Sequence, residues 1–179
     1  MFGLWRRSRR GDLVDTLHER IVAQSRVPEL YLGGGGGLPD TVEGRFESLA
    51  LHALLVLRRL RVLPAPAEDV AQDLVDRVFA HLEIALREIG IGDMGVPKRM
   101  KKIAGAFYDR TRLYDPPIAA GDAAALAAEI AGHLGLEAGT VLPLARYCLA
   151  SEDELAACDL AALFAAPRFA PIERAEVVA

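Results

Sequence analysis

The side chains with the clearest chemical potential follow Pro97, where four of the next five residues are cationic: Lys98, Arg99, Lys101 and Lys102. Pro97 fits the first turn of a helix, where the positive end of the backbone dipole disfavours a cation by roughly 0.3–1 kcal/mol. A cluster that breaks a local stability rule often marks a functional surface. We therefore interpret it as a docking site for an anionic partner, with a solvated lysine-rich face as the alternative.

A second set of polar side chains falls on one stripe of an otherwise apolar helix, predicted over residues 41–61. At 100° per residue the stripe covers roughly a 60° arc. Its members are Thr41, Arg45, Ser48, His52 and Arg59. Three interpretations stay open: a solvated strip, the floor of a binding groove, or a buried polar network that holds the core in register. We expect His52 to be a hydrogen-bonded core residue rather than a haem or metal ligand.

The N-terminal residues combine apolar and cationic side chains in a way that suits a membrane surface. The apolar members are Phe2, Leu4 and Trp5, and the cations are Arg6, Arg7, Arg9 and Arg10. Apolar side chains at the headgroup level with arginines on anionic lipid would gain roughly 1 kcal/mol per basic residue. A frayed tail with incidental arginines is the alternative. Since no apolar core follows the arginines, we do not expect a secretory signal.

Catalytic and metal-binding motifs do not occur in the contexts they require. The histidines stand on different predicted helices, and Cys148 and Cys158 lack metal-ligand spacing with them. The glycines of residues 33–37 are followed by Leu38, Pro39 and Asp40. A phosphate loop needs Lys and Ser or Thr there, so we expect a flexible connector. The sequence predicts no enzyme and no cofactor, and a haem or small-molecule enzyme is kept as an alternative.

Composition and charge narrow the class of protein. The chain has 179 residues, of which 52% are hydrophobic and 26% charged, enough to bury the core of one domain. Its net charge of −4 argues against a protein that wraps nucleic acid, and we expect no DNA partner. Residues 1–114 hold 18 basic and 15 acidic side chains, whereas residues 115–179 hold 3 and 10. An acidic partner is therefore expected on the first part of the chain.

The longest apolar run covers residues 49–57 and is broken by His52, far short of the roughly 20 residues that span a bilayer. Two cysteines are too few for a disulfide framework, so we expect reduced core residues in a reducing compartment. The predicted location is cytoplasmic, peripheral at the inner face of the cytoplasmic membrane.

Apolar residues recur at helical spacing, so we predict an all-α protein of six to seven helices around a central buried helix at 41–61. Residues 11–166 form one domain, between a basic and aromatic tail at 1–10 and a C-terminal tail at 167–179. The other predicted helices are 12–25, 68–89, 97–113, 122–134, 141–149 and 151–164.

Local signals set these boundaries. Asp40 and Ser151 are expected to begin their helices as capping boxes, and Gly90 and the Pro116-Pro117 pair to end theirs. The third helix is expected to bury Val70, Leu74, Val78, Leu82 and Leu86. Its outer face should carry two i,i+4 ion pairs, Asp73 with Arg77 and Glu83 with Arg87.

Two blocks of the sequence resemble the ubiquinol-cytochrome c chaperone family, the assembly factors of the cytochrome bc1 complex. One block covers residues 86–93, 96–102 and 107–110, and the other covers 38–47 with Leu51-His52 and residues 57–60. Together they span about residues 30–115. The family usually has Gly where Asp109 stands, so we expect the helix to continue there. The lack of a mitochondrial-type leader leads us to expect a bacterial member.

The resemblance implies a non-enzymatic chaperone that binds newly made cytochrome b and promotes assembly of the bc1 complex. An anionic membrane surface and the ribosome are further expected partners, and the alternative function is an RNA- or ribosome-binding module acting through residues 98–102. The candidate partner-binding residues are Asp40, Arg45, Glu47, His52, Arg59, Asp93, Lys98, Arg99, Lys101, Lys102, Tyr108 and Arg110. The candidate membrane contacts are Phe2, Leu4, Trp5, Arg6 and Arg7.

Overall fold

Seven α-helices make up the described part of the chain, as the apolar spacing predicts. The structure, a computed structural model, describes residues 2–32 and 35–172, with the backbone alone for residues 2–9. The helices are α1 Phe2–Gln24, α2 Val42–Val62, α3 Ala67–Glu88, α4 Val96–Ala120, α5 Ala123–Leu134, α6 Ala138–Ala156 and α7 Leu160–Ala165. A 3-10 turn covers Pro28–Leu30, and the described residues hold no strand beyond one bridge between Tyr31 and Leu38.

Helix α2 is the central element, which confirms the prediction for residues 41–61. Every residue from Leu49 to Val56 is buried, and the helix contacts α1, α3, α4, α5 and α6. Such a helix is apolar on nearly all sides because neighbours surround it. Its start differs from the prediction: Thr41 is the N-cap and accepts from the Gly44 amide at 3.2 Å. Asp40 instead accepts from Arg45.

The glycine run is partly packed, so the expected flexible connector is wrong for its last members. Gly36 and Gly37 are buried. A Cβ on Gly36 would lie 2.3 Å from the Leu30 carbonyl oxygen, and one on Gly37 would lie 1.8 Å from that of Thr140. Gly37 also has a φ of +87°, which L side chains rarely adopt. These glycines let two backbones approach closely.

Two helices are longer than the local signals predict. Helix α1 begins at Phe2 rather than Asp12, and α4 runs through Pro116 and Pro117 to Ala120. Tertiary packing accounts for the second difference, because Tyr114, Pro117 and Ile118 are buried on both sides of the prolines. Helix α4 also continues through Asp109, as expected from its departure from the family pattern.

Helix α6 replaces two predicted helices. It runs unbroken through Ser151, so the predicted capping box there is wrong. Ser151 is fully buried, and its Oγ accepts from the Ala170 amide at 3.1 Å. The next helix starts at Asp159, whose side chain accepts from the Ala162 amide. A serine thus satisfies a distant backbone donor here instead of beginning a helix.

Helix α3 follows its prediction on the core side and in part on the outer side. All five predicted apolar residues are buried, and Arg87 pairs with Glu83 at 2.9 Å. The expected pair of Asp73 with Arg77 is wrong, because helix α1 supplies closer partners. Arg10 donates to Asp73 at 2.6 Å, and Arg77 pairs with Asp15. Gly90, with a φ of +86°, ends the helix as predicted.

The contacts between helices also give their directions. Arg10 pairs with Asp73, and the His18 ring packs edge-on against His81 with 5.1 Å between ring centroids, so α1 runs parallel to α3. Helix α4 returns antiparallel along α3, with Phe79 packed against Phe107 at 5.5 Å. The end of α3 and the start of α4 therefore form a hairpin tip, and the start of α1 lies at the opposite end of α3.

Candidate functional site

A buried ion pair joins the central helix to α4. Glu47 is fully buried, and Arg110 donates through Nε to its Oε2 at 2.7 Å. Tyr114, one turn further along α4, donates its hydroxyl to Oε1 at 2.5 Å. The Arg110 guanidinium also lies 4.9 Å from the ring centroid of Phe46. A buried carboxylate with two donors is satisfied, so this group holds two helices in register.

Tyr114 is the member that sequence reasoning missed. Burial and the neighbouring Glu47 carboxylate raise the pKa of Tyr114 well above its usual range, so the hydroxyl stays protonated and donates. His133 Nδ1 lies 3.2 Å from the same hydroxyl oxygen and 2.8 Å from the Glu129 carbonyl. No local sequence pattern indicates this polar partner, because Glu47 lies 67 positions away.

A second buried network surrounds His52. Its Nδ1 lies 2.7 Å from the Ser48 carbonyl oxygen, which can only accept, so Nδ1 carries the proton. Its Nε2 then accepts from the Tyr147 hydroxyl at 2.7 Å, and that oxygen accepts from Gln24 Nε2 at 3.2 Å. Burial lowers the pKa of His52 to about 4, so the ring is neutral at pH 7. The expected core histidine is thus confirmed.

The first residues of the predicted C-terminal tail cover this network. The Phe169 ring packs edge-on against His52 with centroids 5.0 Å apart. Ala170 is buried and bonded to Ser151. The polar stripe therefore has two characters: Ser48 and His52 belong to a buried network, whereas Thr41 and Arg45 are exposed.

The end of α2 is tied to three other elements by arginines. Arg58 pairs with Asp115 on α4 and donates to Glu152 on α6 at 3.0 Å. Arg59, a predicted partner-binding residue, donates through Nε to the Cys158 carbonyl at 2.7 Å. Both arginines are only partly exposed, so they are used within the fold.

The exposed candidates fall on two surfaces. Asp40 and Arg45 form an ion pair of 2.7 Å at the start of α2. Asp93, in the loop before α4, pairs with Arg87 on α3. Arg87 also pairs with Glu83 on its own helix, so one arginine holds both carboxylates.

The four cations after Pro97 are exposed and unpaired. Lys98, Arg99, Lys101 and Lys102 make no ion pair or side-chain hydrogen bond within the part of the chain that the structure describes. The first turn of α4 holds no acidic residue to offset them. Tyr108 lies on the same outward side of α4 and is 57% exposed. These residues form a basic helix face with an exposed aromatic ring.

Comparisons with known proteins agree with this architecture. The sequence profile described as Ubiquinol-cytochrome C chaperone matches residues 36–169. The chain belongs to the ubiquinol-cytochrome C chaperone family. A solved structure, the Cbp3 homolog from Brucella abortus, superposes with a TM-score of 0.81 at 36% identity, covering 96% of this chain and 97% of that one. A comparison with curated protein sequences gave no match.

Family membership confirms the resemblance of the two sequence blocks, which both lie inside the matched region. The chaperone family match starts before α2 and reaches the segment that packs on His52. Both buried networks therefore lie in the matched region, except for Gln24. The candidate membrane contacts Phe2, Leu4, Trp5, Arg6 and Arg7 precede the match, and their side chains lie outside the described residues.

The twelve candidate partner-binding residues separate by burial. Four are used inside the fold: Glu47, His52, Arg59 and Arg110. Eight are exposed to a partner: Asp40, Arg45, Asp93, Lys98, Arg99, Lys101, Lys102 and Tyr108. Among residues 2–32 and 35–172, no group of three His, Cys, Asp or Glu side chains is placed to hold a metal ion. No described helix has the length and hydropathy to cross a membrane.

Proposed function

We propose that the protein is a non-enzymatic assembly chaperone of the cytochrome bc1 complex, and that its client is newly synthesised cytochrome b. The observation that carries this proposal is the family match over residues 36–169. The name of the family joins chaperone action to ubiquinol-cytochrome c chemistry, which is the reaction of the bc1 complex. The related Cbp3 homolog, similar over nearly its whole length, supports the same assignment.

The outward face of α4 is the proposed client surface. It presents unpaired cations beside the half-exposed ring of Tyr108. The centroid of that ring lies 6.1 Å from the centroid of Phe79. An aromatic ring offers apolar contact at a low entropic cost. Cations beside it favour acidic flanks of the client. The Asp40–Arg45 pair at the start of α2 is proposed as a second contact.

The buried candidates affect this surface only indirectly, through the fold. Arg110 and Glu47 fix the middle of α4 against the central helix, and His52 and Arg59 tie α2 to α6 and the residues after it. Their substitution should reduce client binding only as far as it loosens the fold.

Deletion of the gene tests the proposal in cells. We expect less assembled bc1 complex on native gels and a weaker cytochrome b absorbance, with unchanged transcripts for the subunits. A post-translational role requires that combination. Normal complex levels and normal spectra in the deletion strain would reject the proposed function.

Photo-crosslinking tests the surface. A photoreactive residue at Tyr108 should capture cytochrome b, and the same residue at Asp153, an exposed position on α6, is the matched control. Equal capture at both positions would show that the outward face of α4 is not the client surface.

RNA or ribosome binding through residues 98–102 is the second candidate, since four unpaired cations suit phosphate. Neutralising four phosphates predicts that log affinity falls about 3 to 4 units per tenfold rise in salt. A salt-independent interaction, or one unchanged by replacing the cluster, would exclude this alternative. A location at the inner face of the cytoplasmic membrane is a further proposal, and vesicle binding tests whether Phe2, Leu4, Trp5, Arg6 and Arg7 make the contact.

A further inference from the structure

The tip of the α3–α4 hairpin combines exposed apolar side chains with unpaired cations. We define the tip surface as Ile89, Met94, Lys98, Lys101 and Lys102. Met94 is 98% exposed and Ile89 is 60% exposed, and no described residue covers them. An exposed methionine at a loop apex buries nothing in the fold, so its apolar surface is available to a partner.

Along the hairpin, apolar side chains lie at the tip and cations lie behind them, which matches a partner with an apolar layer under an anionic one. Met94 lies in the connecting loop, and the lysines follow in the first two turns of α4, roughly 6–12 Å behind it at 1.5 Å per residue. An anionic bilayer has the same order: an apolar boundary that accepts side chains to roughly 5–10 Å, covered by phosphate groups. Nucleic acid would satisfy the lysines and leave Met94 and Ile89 in water.

The surrounding charges favour the same partner. Between residues 83 and 102 there are five cations and three anions, a local charge of +2 in a chain whose net charge is −4. Two of the three anions, Glu83 and Asp93, are paired with Arg87. The hairpin tip is therefore a local positive site on an acidic protein.

We propose that the tip surface docks on an anionic lipid bilayer, with Met94 and Ile89 in the headgroup region and the three lysines on lipid phosphates. This assignment shares the three lysines with the proposed client surface, but it concerns a different partner and is tested without the client. It can also be distinguished from the hypothesis that the N-terminal residues contact the membrane. Since α1 runs parallel to α3, the level of Arg10 lies roughly 27 Å from the tip at 1.5 Å per residue, and Phe2 lies further away. With α3 upright on the bilayer, only one end can insert.

Two probes in the full-length protein report the two ends separately. The sequence holds a single Trp, which is Trp5, so intrinsic fluorescence reports the N-terminal end. Cys148 and Cys158 are buried, so a Met94→Cys variant takes an environment-sensitive dye at the tip. With vesicles of phosphatidylcholine and phosphatidylglycerol we expect a blue shift of the dye and no shift of Trp5. A shift of Trp5 alone would overturn the proposal.

Flotation with the same vesicles measures each contribution. Replacing the three lysines by Gln should weaken vesicle binding about 100-fold, at about fivefold per basic residue near the surface. The double variant Ile89→Ser with Met94→Ser should abolish flotation. Deletion of residues 2–9, which spares the Arg10 pairs, should leave flotation unchanged. Equal flotation of the wild type with pure phosphatidylcholine would overturn the proposal.

Matched variants control for apolar surface and for charge. Leu32→Ser with Val62→Ser removes two other exposed apolar side chains, and Arg20, Arg26 and Arg146 changed to Gln remove three other exposed cations. Both controls should float like the wild type. Loss of flotation in the lysine variant with retention in the Ile89 and Met94 variant, together with tight RNA binding, would assign the tip to nucleic acid and overturn the proposal. No client is present in these assays, so their failure leaves the chaperone proposal standing.

Discussion

The Arg110–Glu47 pair allows a prediction with a defined magnitude. Glu47 is fully buried and the Arg110 side chain is 11% exposed, so Arg110→Ala leaves a carboxylate in the core with only the Tyr114 hydroxyl. Removing one partner of a buried ion pair costs roughly 3–5 kcal/mol. For a chain of this size each kcal/mol lowers Tm by about 2–4 °C. We therefore expect Tm to fall by roughly 6–20 °C in a calorimetric scan.

A neighbouring arginine provides the control. Arg112 lies on the same helix, is 72% exposed and stands 3.9 Å from Asp109, so Arg112→Ala should cost no more than about 0.5 kcal/mol. Tyr114→Phe should fall between the two, at roughly 1.5–3 kcal/mol for a lost bond to a charged group. Replacing both charges, by Glu47→Leu with Arg110→Met, should recover much of the loss. Equal melting temperatures for Arg110→Ala and Arg112→Ala would refute the reasoning.

Three further predictions follow from the same contacts. Folding lowers the pKa of His52 from 6.5 to about 4, so its contribution to the free energy of unfolding is complete above pH 6.5 and falls as the pH drops towards 4. Between about pH 7 and pH 5 the loss is about 2 kcal/mol. His52→Gln should flatten this part of the plot of unfolding free energy against pH. Gly37→Ala should cost at least about 2 kcal/mol through its contact with Thr140, whereas Gly92→Ala, with open space around it, should unfold like the wild type. Reversing the three lysines of the tip surface to Glu should raise stability by up to roughly 1 kcal/mol per site while lowering bc1 assembly, and a variant with normal assembly would make those lysines a solvated face.

Helices with complete local signals were predictable. Helix α3 has apolar residues at regular spacing and Gly90 in a left-handed conformation after its end. Helix α5 has Asp122 as N-cap and Gly135 in a left-handed conformation after Leu134, close to the predicted range of 122–134. In both cases the residues that decide the boundary lie within a few positions of it. Sequence patterns contain that information directly.

Boundaries decided by distant contacts were not predictable. The Pro116-Pro117 pair normally ends a helix, yet α4 continues because Ile118 is buried beyond it and Arg58 pairs with Asp115 just before it. Ser151 is bound to Ala170, 19 residues away. No local window of sequence contains both partners of these contacts.

For part of the candidate site, the exposure of the side chains was predictable. The lysines after Pro97 stood out because they break a local rule, and in the described structure they are exposed and have no ion-pair partner. Glu47 and Arg110 were chosen for the same kind of site, but they bond to each other across 63 positions. Charge alone does not distinguish a solvated residue from one half of a buried pair, since the partner is set by the fold.

The placement of these contacts explains how the fold tolerates its basic helix start. The polar links from α4 to other helices begin at Arg110 and continue through Tyr114 and Asp115. In the first turns Met100 and Ile103 pack against the hydrophobic core and Val96 is buried. Four cations against the helix dipole cost roughly 1–4 kcal/mol, and removing either partner of the buried pair further along would cost about 3–5 kcal/mol. The second half of α4 therefore holds the helix in place, and the first half can carry cations that its packing does not use.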